Sequence, residues 1–237
     1  LPVRYKGRLT RIELLYAQMW GNAKTAGAKE LALSHANYAA LYENSYNLSV
    51  YEVSKGLTRT PAFTKLPTTQ IEAALRHQFM GKNYSEHIWK NTNDLAAQLQ
   101  KEVAKTIITG ESPQKAAKRL RERYSVAKYK AERLMRTETA RFQNEGTMGA
   151  YESMGLNQWQ FSATLDGRTS DICQQHDGKI YNVGDTEFMP PLHVSCRSST
   201  TAHIGGLEPS LRIARGKDGK NYYTANMSYE QWAEAYL

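Results

Sequence analysis

Two cysteines and one histidine lie close together late in the chain, and their types and spacing are those of a zinc site. Cys196 follows Cys173 by 23 residues, and His193 stands three residues before Cys196. Thiolate sulfur and imidazole nitrogen are ligands that tetrahedral zinc prefers. Residue type alone leaves the fourth ligand open, and the candidates are Asp166, Asp171, His176 and His203. This grouping predicts a structural zinc site that stabilises the residues around it.

Two other interpretations of this cluster remain open. In one, Cys173 is a nucleophile and His193 is its base, because a thiol near the N-terminus of a short helix has a lowered pKa. The chain would then be a thiol hydrolase or a toxin-like enzyme. In the other, both cysteines are ordinary core residues, and Asp166, Arg168 and Arg197 form a charge network. Two cysteines are too few for a disulfide framework.

Positive charge is concentrated in the first two thirds of the chain. The 237 residues carry a net charge of +8. Residues 1–150 hold 24 Lys and Arg against 13 Asp and Glu, whereas residues 151–237 hold 7 against 10. The densest stretch is 101–141, with 12 basic and 5 acidic residues. This asymmetry predicts different partners for the two regions, and an anionic partner for the basic one.

The basic stretch predicts contact with a nucleic-acid backbone. Cationic side chains on one helix face attract phosphates without reading base sequence. The alternative is a solvated helix surface with no role in nucleic-acid binding. The predicted DNA-contact residues are Lys115, Lys118, Arg119, Arg121, Arg123, Lys128 and Lys130.

Composition excludes two broad classes of protein. Hydrophobic residues make up 41% of the chain and charged residues 23%, a balance typical of globular rather than disordered proteins. The mean hydropathy is −0.64. No stretch approaches the roughly 18 apolar residues of a membrane span, so we expect no membrane partner.

Helix caps divide the first two thirds of the chain into amphipathic helices. The residues expected to face inward in the first helix include Leu14, Leu33, Tyr38, Tyr46 and Val53. Gly21 and Gly27 are candidate breaks in it. The predicted helix starts are Thr10, Thr69, Ser85, Ser112 and Ser125, and the predicted ends are Gly56, Gly81, Gly110 and Gly155.

After Gly155 the pattern changes to the alternation of a β-strand. Trp159 and Phe161 alternate with polar residues, which predicts one buried face. Residues 179–183 and 197–203 predict two more strands. A turn at 216–219 predicts a hairpin between 211–215 and 221–225, and Ser228 with Gln231 predicts the start of a short helix.

These patterns predict an α+β fold, with a mainly helical N-terminal region followed by a small mixed α/β C-terminal domain. The predicted divisions are a basic, partner-facing helical region at 1–155, a small α+β domain with the Cys/His cluster at 156–206, and a hairpin with a short helix at 207–237.

The chain resembles tailed-phage minor head proteins, the Mu F-like and SPP1 gp7-like head morphogenesis family. The resemblance lies in residues 165–173 (LDGRTSDIC), 177–179 (DGK) and 190–198 (PPLHVSCRS), and in the helix at 136–142 (RTETARF). It covers roughly residues 35–205. Many members have Cys at the position of Ser170 and some have Cys at the position of Ser198, so this chain has fewer thiolates for a metal. Asp166 is then the preferred fourth ligand.

This resemblance implies a non-enzymatic structural protein of the virion. It implies a place near the portal vertex in the capsid interior, and in the host cytoplasm during assembly. The implied roles are head assembly and DNA packaging or ejection. The implied partners are the portal protein, the major capsid or scaffold protein, and phage DNA. The competing functions are a Cys/His-based enzyme and a zinc-stabilised nucleic-acid-binding module.

Overall fold

A computed structural model of the chain describes residues 3–57, 65–207 and 211–236. Its helices are α1 (Val3–Gly56), α2 (Thr68–Arg76), α3 (Tyr84–Thr109), α4 (Pro113–Ser153), α5 (Asp171–His176) and α6 (Tyr229–Tyr236). Its strands are β1 (Gln158–Ser162), β2 (Ile180–Asn182), β3 (Ser199–His203), β4 (Leu211–Arg215) and β5 (Asn221–Ala225). This confirms the α+β class. No helix within the described ranges is both long enough and apolar enough to cross a bilayer.

The first helix is longer than its caps predicted. α1 begins at Val3, so the predicted start at Thr10 is wrong, while the predicted end at Gly56 is confirmed. The helix also continues through Gly21 and Gly27. A glycine inside a helix costs only about 1 kcal/mol, which packing on either side outweighs.

Local caps define α3, although its predicted start is wrong. The cap is Asn83 rather than Ser85: its side chain accepts from the Glu86 amide, and Glu86 accepts from the Asn83 amide. The predicted end at Gly110 is confirmed by its left-handed backbone, with φ at 64°. α2 ends at Arg76, before the predicted stop at Gly81. Residues 58–64, between α1 and α2, lie outside the described residues.

A single helix occupies the place of two predicted ones between residues 113 and 153. α4 begins at Pro113 as predicted, but Ser125 is not a cap. Its hydroxyl donates to the carbonyl of Arg121 at 3.0 Å, a bond that a serine makes within a continuous helix. A cap residue in the sequence is therefore not enough to start a helix where the neighbouring residues already favour one.

The three predicted strands and the predicted hairpin are confirmed. β1 is the centre of an antiparallel sheet with the order β2-β1-β3, and β4 pairs with β5. Trp159 and Phe161 of β1 are buried, as their alternation predicted. Ser228 and Gln231 form the predicted reciprocal cap at the start of α6.

The residues of the chain group into two compact units. Unit 1 consists of Leu1–Asn37 and Arg76–Met135, and unit 2 of Tyr38–Leu75 and Arg136–Leu237. The domain divisions at 155 and 206, drawn from the sequence, stay a prediction.

Unit 1 is helical, and α1 and α3 approach closely within it. A β-carbon added at Gly27 would lie 2.8 Å from the hydroxyl of Thr92. The ring of His35 is hydrogen-bonded to the hydroxyl of Tyr84 at 2.8 Å. Ile88 of α3 is 2% exposed. Leu14 and Leu33 of α1 do not follow their prediction, since they are 59% and 66% exposed.

Unit 2 has a core built on a stripe of α1 residues spaced three or four apart. Tyr38 stacks on Phe142 of α4 with ring centroids 4.8 Å apart. Gly146 of α4 lies against the Tyr42 carbonyl oxygen, where an added β-carbon would lie only 2.5 Å away. The buried α1 residues of this stripe are Tyr38, Tyr42, Tyr46, Val50 and Val53.

Candidate functional site

Cys173, His193 and Cys196 converge in unit 2, as the sequence predicted. The two sulfur atoms are 3.6 Å apart, and the sulfur of Cys173 is 3.3 Å from Nε2 of His193. All three potential ligand atoms lie within 4.8 Å of one another. Both cysteines are buried, and the histidine is partly exposed.

Helix α5 and the loop before β3 bring these residues together, and helix α4 holds that loop in place. Cys173 lies in the first turns of α5, and His193 and Cys196 lie in the loop that leads into β3. Ser195 in this loop has a left-handed backbone, with φ at 61°. Its amide donates to the hydroxyl of Thr137 on α4 at 2.9 Å, which fixes the loop to that helix.

The orientation of His193 suits a ligand. Its Nδ1 donates to the backbone carbonyl of Val194 at 3.0 Å, which leaves the lone pair of Nε2 directed towards Cys173 and Ser170. A backbone carbonyl on the far ring nitrogen is the usual way in which a metal-binding histidine is oriented. The Ser170 hydroxyl is 2.8 Å from Nε2 and lies beside the group.

The two thiols affect one another's ionisation. Their hydrogen bond lowers the pKa of Cys196, while the same bond, together with burial, raises the pKa of Cys173. Burial of Cys173 disfavours the thiolate form that the nucleophile hypothesis requires. Cys173 is 1% exposed, so a substrate has no open approach to its sulfur either.

The three ligand atoms fit a tetrahedral metal ion. Ligand atoms in a zinc site with two thiolates and an imidazole lie about 3.5–3.8 Å apart, given the usual zinc–ligand bond lengths. The distances of 3.3 and 3.6 Å are close to that spacing. Soft sulfur with imidazole is also the donor set that favours zinc over calcium or magnesium.

Asp166 lies outside this group and is held by another partner. Its carboxylate forms an ion pair with Arg197, in which Nη2 is 2.8 Å from Oδ1, and it accepts from the Arg168 amide. These bonds lower its pKa to about 2, with the Arg197 bond as the main cause. Its role as a fourth ligand stays a prediction. The predicted charge network is present: Asp166 pairs with Arg197 and, at 4.0 Å, with Arg168.

Three polar residues near the group carry no strong signal in the sequence. Ser170 is conspicuous only as a departure from the family's cysteine pattern. Thr137 and Asn144 are ordinary helix residues until the fold brings them to the loop. The Asn144 side chain accepts from the Thr200 amide at 3.0 Å, so it supports the start of β3.

A buried ion network lies in the segment 136–142 that resembles the family's helix. Arg141 bonds Glu138 at 2.8 Å and Glu145 at 2.9 Å, three and four residues away, the spacings at which side chains on one helix face meet. Arg141 also donates to the carbonyl of Ala74 near the end of α2. These contacts identify a structural role for the network in unit 2.

The predicted DNA-contact residues divide into two stripes of α4, because successive residues of a helix are rotated by about 100°. The first stripe comprises four exposed residues, Lys115, Lys118, Arg121 and Lys128. Its only ion pair within the described residues joins Lys128 to Glu132 at 3.9 Å, and both side chains are exposed. This stripe is free to meet an anionic partner.

The second stripe comprises Arg119, Arg123 and Lys130, and part of its charge is neutralised within unit 1. Arg119 bonds Glu102 of α3 at 2.6 Å and also pairs with Glu111. Arg123 reaches the same Glu102 at 3.5 Å. Of the seven predicted residues, Arg119 is therefore the least able to bind a phosphate.

Residues 97–201 match the family model described as Phage Mu protein F like protein. Over this segment the chain is similar to the Mu F-like phage minor head proteins. The matched segment includes both the basic stretch of α4 and the Cys/His group.

Two curated proteins are similar to this chain. Minor head protein GP7 of Bacillus phage SPP1 is 25% identical over 209 residues, which cover 81% of this chain and 68% of that protein. NAD(+)–arginine ADP-ribosyltransferase EFV of Enterococcus faecalis (strain ATCC 700802 / V583) is 28% identical over 171 residues, 64% of this chain. The chain spans only about a third of that second relative, 34% of its length. No solved structure gives a significant match.

Proposed function

We propose that this chain is a structural minor head protein that acts at the portal vertex, in head assembly and in DNA packaging or ejection. The similarity to Mu F-like proteins and to the SPP1 minor head protein supports a structural role in head morphogenesis and a place in the virion. The single observation that carries the proposal is the match over residues 97–201. The proposed partners are the portal protein, the major capsid or scaffold protein, and packaged DNA.

Mass spectrometry of purified phage particles tests the virion part of this proposal. Peptides from the chain should remain with heads through density-gradient purification and a high-salt wash. Recovery of the chain only from the soluble lysate, with none in heads, would contradict the proposal.

The proposed DNA contact rests on the exposed stripe of α4. Lys115, Lys118, Arg121 and Lys128 cover about 20 Å along the helix, since each residue rises about 1.5 Å. None of them is buried, and three of the four have no ion pair within the described residues. The stripe can therefore neutralise phosphates along a duplex backbone without reading its sequence.

Salt-dependent DNA binding tests this contact. Replacing the four stripe residues by Gln should lower duplex affinity and reduce the slope of log K against log salt by about 3–4, since each phosphate contact contributes about 0.9. The matched control replaces Lys24, Lys29, Lys217 and Lys220, which are exposed lysines outside α4. Equal losses in both variants would contradict a specific contact through the stripe.

The proposed zinc site is structural and uses Cys173, His193 and Cys196. The fit of their spacing and of their donor types supports it. When bound, zinc would cross-link α5 to the loop before β3 and so stabilise unit 2. The fourth ligand remains to be assigned between Asp166, a nearby side chain such as Ser170, and water.

We propose that the chain is not an enzyme in its own right. The burial of Cys173 and its raised pKa argue against a thiol nucleophile. The activity in the Enterococcus faecalis name belongs to a protein of which this chain spans about a third. Incubation of the chain with ester and peptide substrates should give no turnover that depends on Cys173, and a loss of turnover in Cys173→Ala would contradict the proposal.

A further inference from the structure

Unit 2 contains a second candidate site, a cleft of about 810 Å³ apart from the Cys/His group. Residues of β1, of β3 and of the segment 177–179 after α5 line one part of it, and residues of the β4–β5 hairpin and of the turn before α6 line another. Its volume lies within the range of ligand-binding clefts in proteins. It is therefore large enough to hold a short segment of a partner chain.

Unpaired positive charge dominates this cleft. Lys179 is exposed and makes no ion pair within the described part of the chain. The Nε of Arg215 donates a hydrogen bond to the side-chain oxygen of Asn221 at 3.2 Å. Because that amide is neutral, the bond does not neutralise the charge of Arg215. The one carboxylate among the described lining residues belongs to Asp177, which is buried and fully engaged with Arg212. The free charges therefore favour an anionic occupant.

An apolar strip lies beside these charges. Leu211 and Ile213 of β4 line the cleft and are 57% and 56% exposed. Gln160, Ser199 and Thr201 line it from the sheet and supply neutral hydrogen-bonding groups. Aliphatic contact next to cations and to amide and hydroxyl groups is the chemistry that a peptide backbone with acidic and aliphatic side chains requires.

We propose that this cleft binds an acidic peptide segment of a partner protein, one that carries Asp or Glu beside at least one aliphatic side chain. Its carboxylates would meet Lys179 and Arg215, and its aliphatic side chain would cover Leu211 and Ile213. The described cleft offers no exposed aromatic ring for base stacking, since Phe161 is 1% exposed. A protein segment is therefore favoured over single-stranded nucleic acid, whose bases stack on aromatic rings. This inference goes beyond the proposed function and does not depend on DNA contact through α4.

Selection from a random hexapeptide library against the full chain tests the proposal. Enriched peptides should carry acidic residues together with Leu, Ile or Val. The binding of the best enriched peptide, labelled with a fluorophore, is then measured by anisotropy. Enrichment of basic or uniformly apolar peptides, or of none, would overturn the proposal. The competing result is that a hexanucleotide of mixed sequence binds more tightly than the best peptide and loses that binding when Lys179 and Arg215 are replaced by Glu. That result would overturn the proposal in favour of a nucleic-acid ligand.

Charge-reversal variants locate the binding. The double variant Lys179→Glu with Arg215→Glu should lower the affinity for the enriched peptide at least about tenfold, because it replaces two attractive charge pairs by two repulsive ones. The control is the double variant Lys217→Glu with Lys220→Glu. It makes the same change in net charge in the turn of the hairpin that carries Arg215, at residues that do not line the cleft. An equal loss in the control would mean unspecific attraction and would overturn the assignment.

Two further single variants test the charged and the apolar part of the contact separately, and the first of them lies outside the hairpin. Lys179→Glu alone alters an exposed side chain on the sheet side of the cleft, and it should weaken the peptide while leaving Tm unchanged. Ile213→Ser should weaken it as well, whereas Tyr223→Ser, at a position paired with Ile213 but outside the cleft lining, should not. Undiminished binding in both Lys179→Glu and Ile213→Ser would overturn the proposal.

Discussion

The carboxylate of Asp177 accepts two hydrogen bonds from the guanidinium of Arg212, both at 2.9 Å. It also accepts from the amides of Ala163 at 2.7 Å and Tyr229 at 2.6 Å. One buried side chain thus joins the end of α5 to the segment after β1, to β4 and to α6. The hairpin and the last helix are held to the rest of unit 2 by this group and by the apolar cluster around Trp232.

Replacing Asp177 by Asn should destabilise unit 2 by about 3 kcal/mol, because it leaves the partly buried Arg212 without a counter-charge. Urea unfolding followed by tryptophan fluorescence measures the change. Glu187→Gln, an exposed acidic residue of the same unit, is the control and should change stability by less than about 0.5 kcal/mol. Equal stability of Asp177→Asn and the control would contradict the role assigned to Asp177.

The ion pair of Asp166 with Arg197 should make stability depend on pH in the acid range. The bonds from Arg197 lower the pKa of Asp166 to about 2, from 3.8. The folded state then binds a proton less readily than the unfolded state, so about 2 kcal/mol of stability is present above pH 4 and is lost as pH falls towards 2. Urea unfolding at intervals between pH 2 and 5 measures this loss.

Arg197→Gln should flatten that pH dependence, because it removes the main cause of the lowered pKa. Arg215→Gln, a cationic residue of the same unit with no link to Asp166 within the described residues, should leave it intact. An unchanged pH profile in Arg197→Gln would show that Asp166 is stabilised by other groups.

Replacement of two helical glycines by alanine should change the stability of the chain in opposite directions. Gly146→Ala should cost about 1–3 kcal/mol, because the added methyl group would meet the backbone carbonyl of Tyr42. Gly21→Ala should stabilise the chain by about 0.5–1 kcal/mol, since nothing lies within 4 Å and alanine favours a helix. Thermal unfolding of the two variants tests both directions. A stabilising Gly146→Ala would contradict the packing described for α1 and α4.

Elemental analysis tests the proposed metal centre. Chain purified without chelators should carry about one zinc ion, and Cys173→Ala and Cys196→Ala should lose it together with a drop in Tm. His203→Ala should retain zinc, since His203 lies outside the group within the described residues. Asp166→Asn and Ser170→Ala then separate the candidates for the fourth ligand. A metal-free wild-type chain after incubation with zinc at neutral pH would contradict the proposal.

Sequence periodicity was sufficient for most of the fold, and it failed where local signals compete. The alternation at Trp159 and Phe161 and the turn at 216–219 predict strands correctly, because a half-buried strand and a tight turn each have their own local pattern. Ser85 and Ser125 have the residue type of a cap, but Asn83 has the reciprocal partner Glu86, and Ser125 lies inside a longer helix. Leu14 and Leu33 show that helical spacing of apolar residues does not say whether a partner covers them.

The sequence predicted the parts of the candidate site that depend on residue type and spacing, and it did not predict the parts that depend on contacts between distant residues. Cys173, His193 and Cys196 have distinctive chemistry, so their convergence could be predicted from type and spacing. The division of the basic residues could not, because it depends on Glu102 of another helix, which neutralises Arg119. Thr137 holds the loop by accepting a hydrogen bond from the Ser195 amide. Such a contact between distant residues leaves no pattern in the sequence, so it could not be predicted.

Cryo-electron microscopy of heads, reconstructed without imposed symmetry, tests the central claim most directly. Heads would be compared between the phage or prophage that encodes this chain and a derivative lacking its gene. The account predicts that density is lost at one vertex, the portal vertex, on the interior side. Identical density at that vertex in both samples, with the chain absent from purified heads, would contradict it.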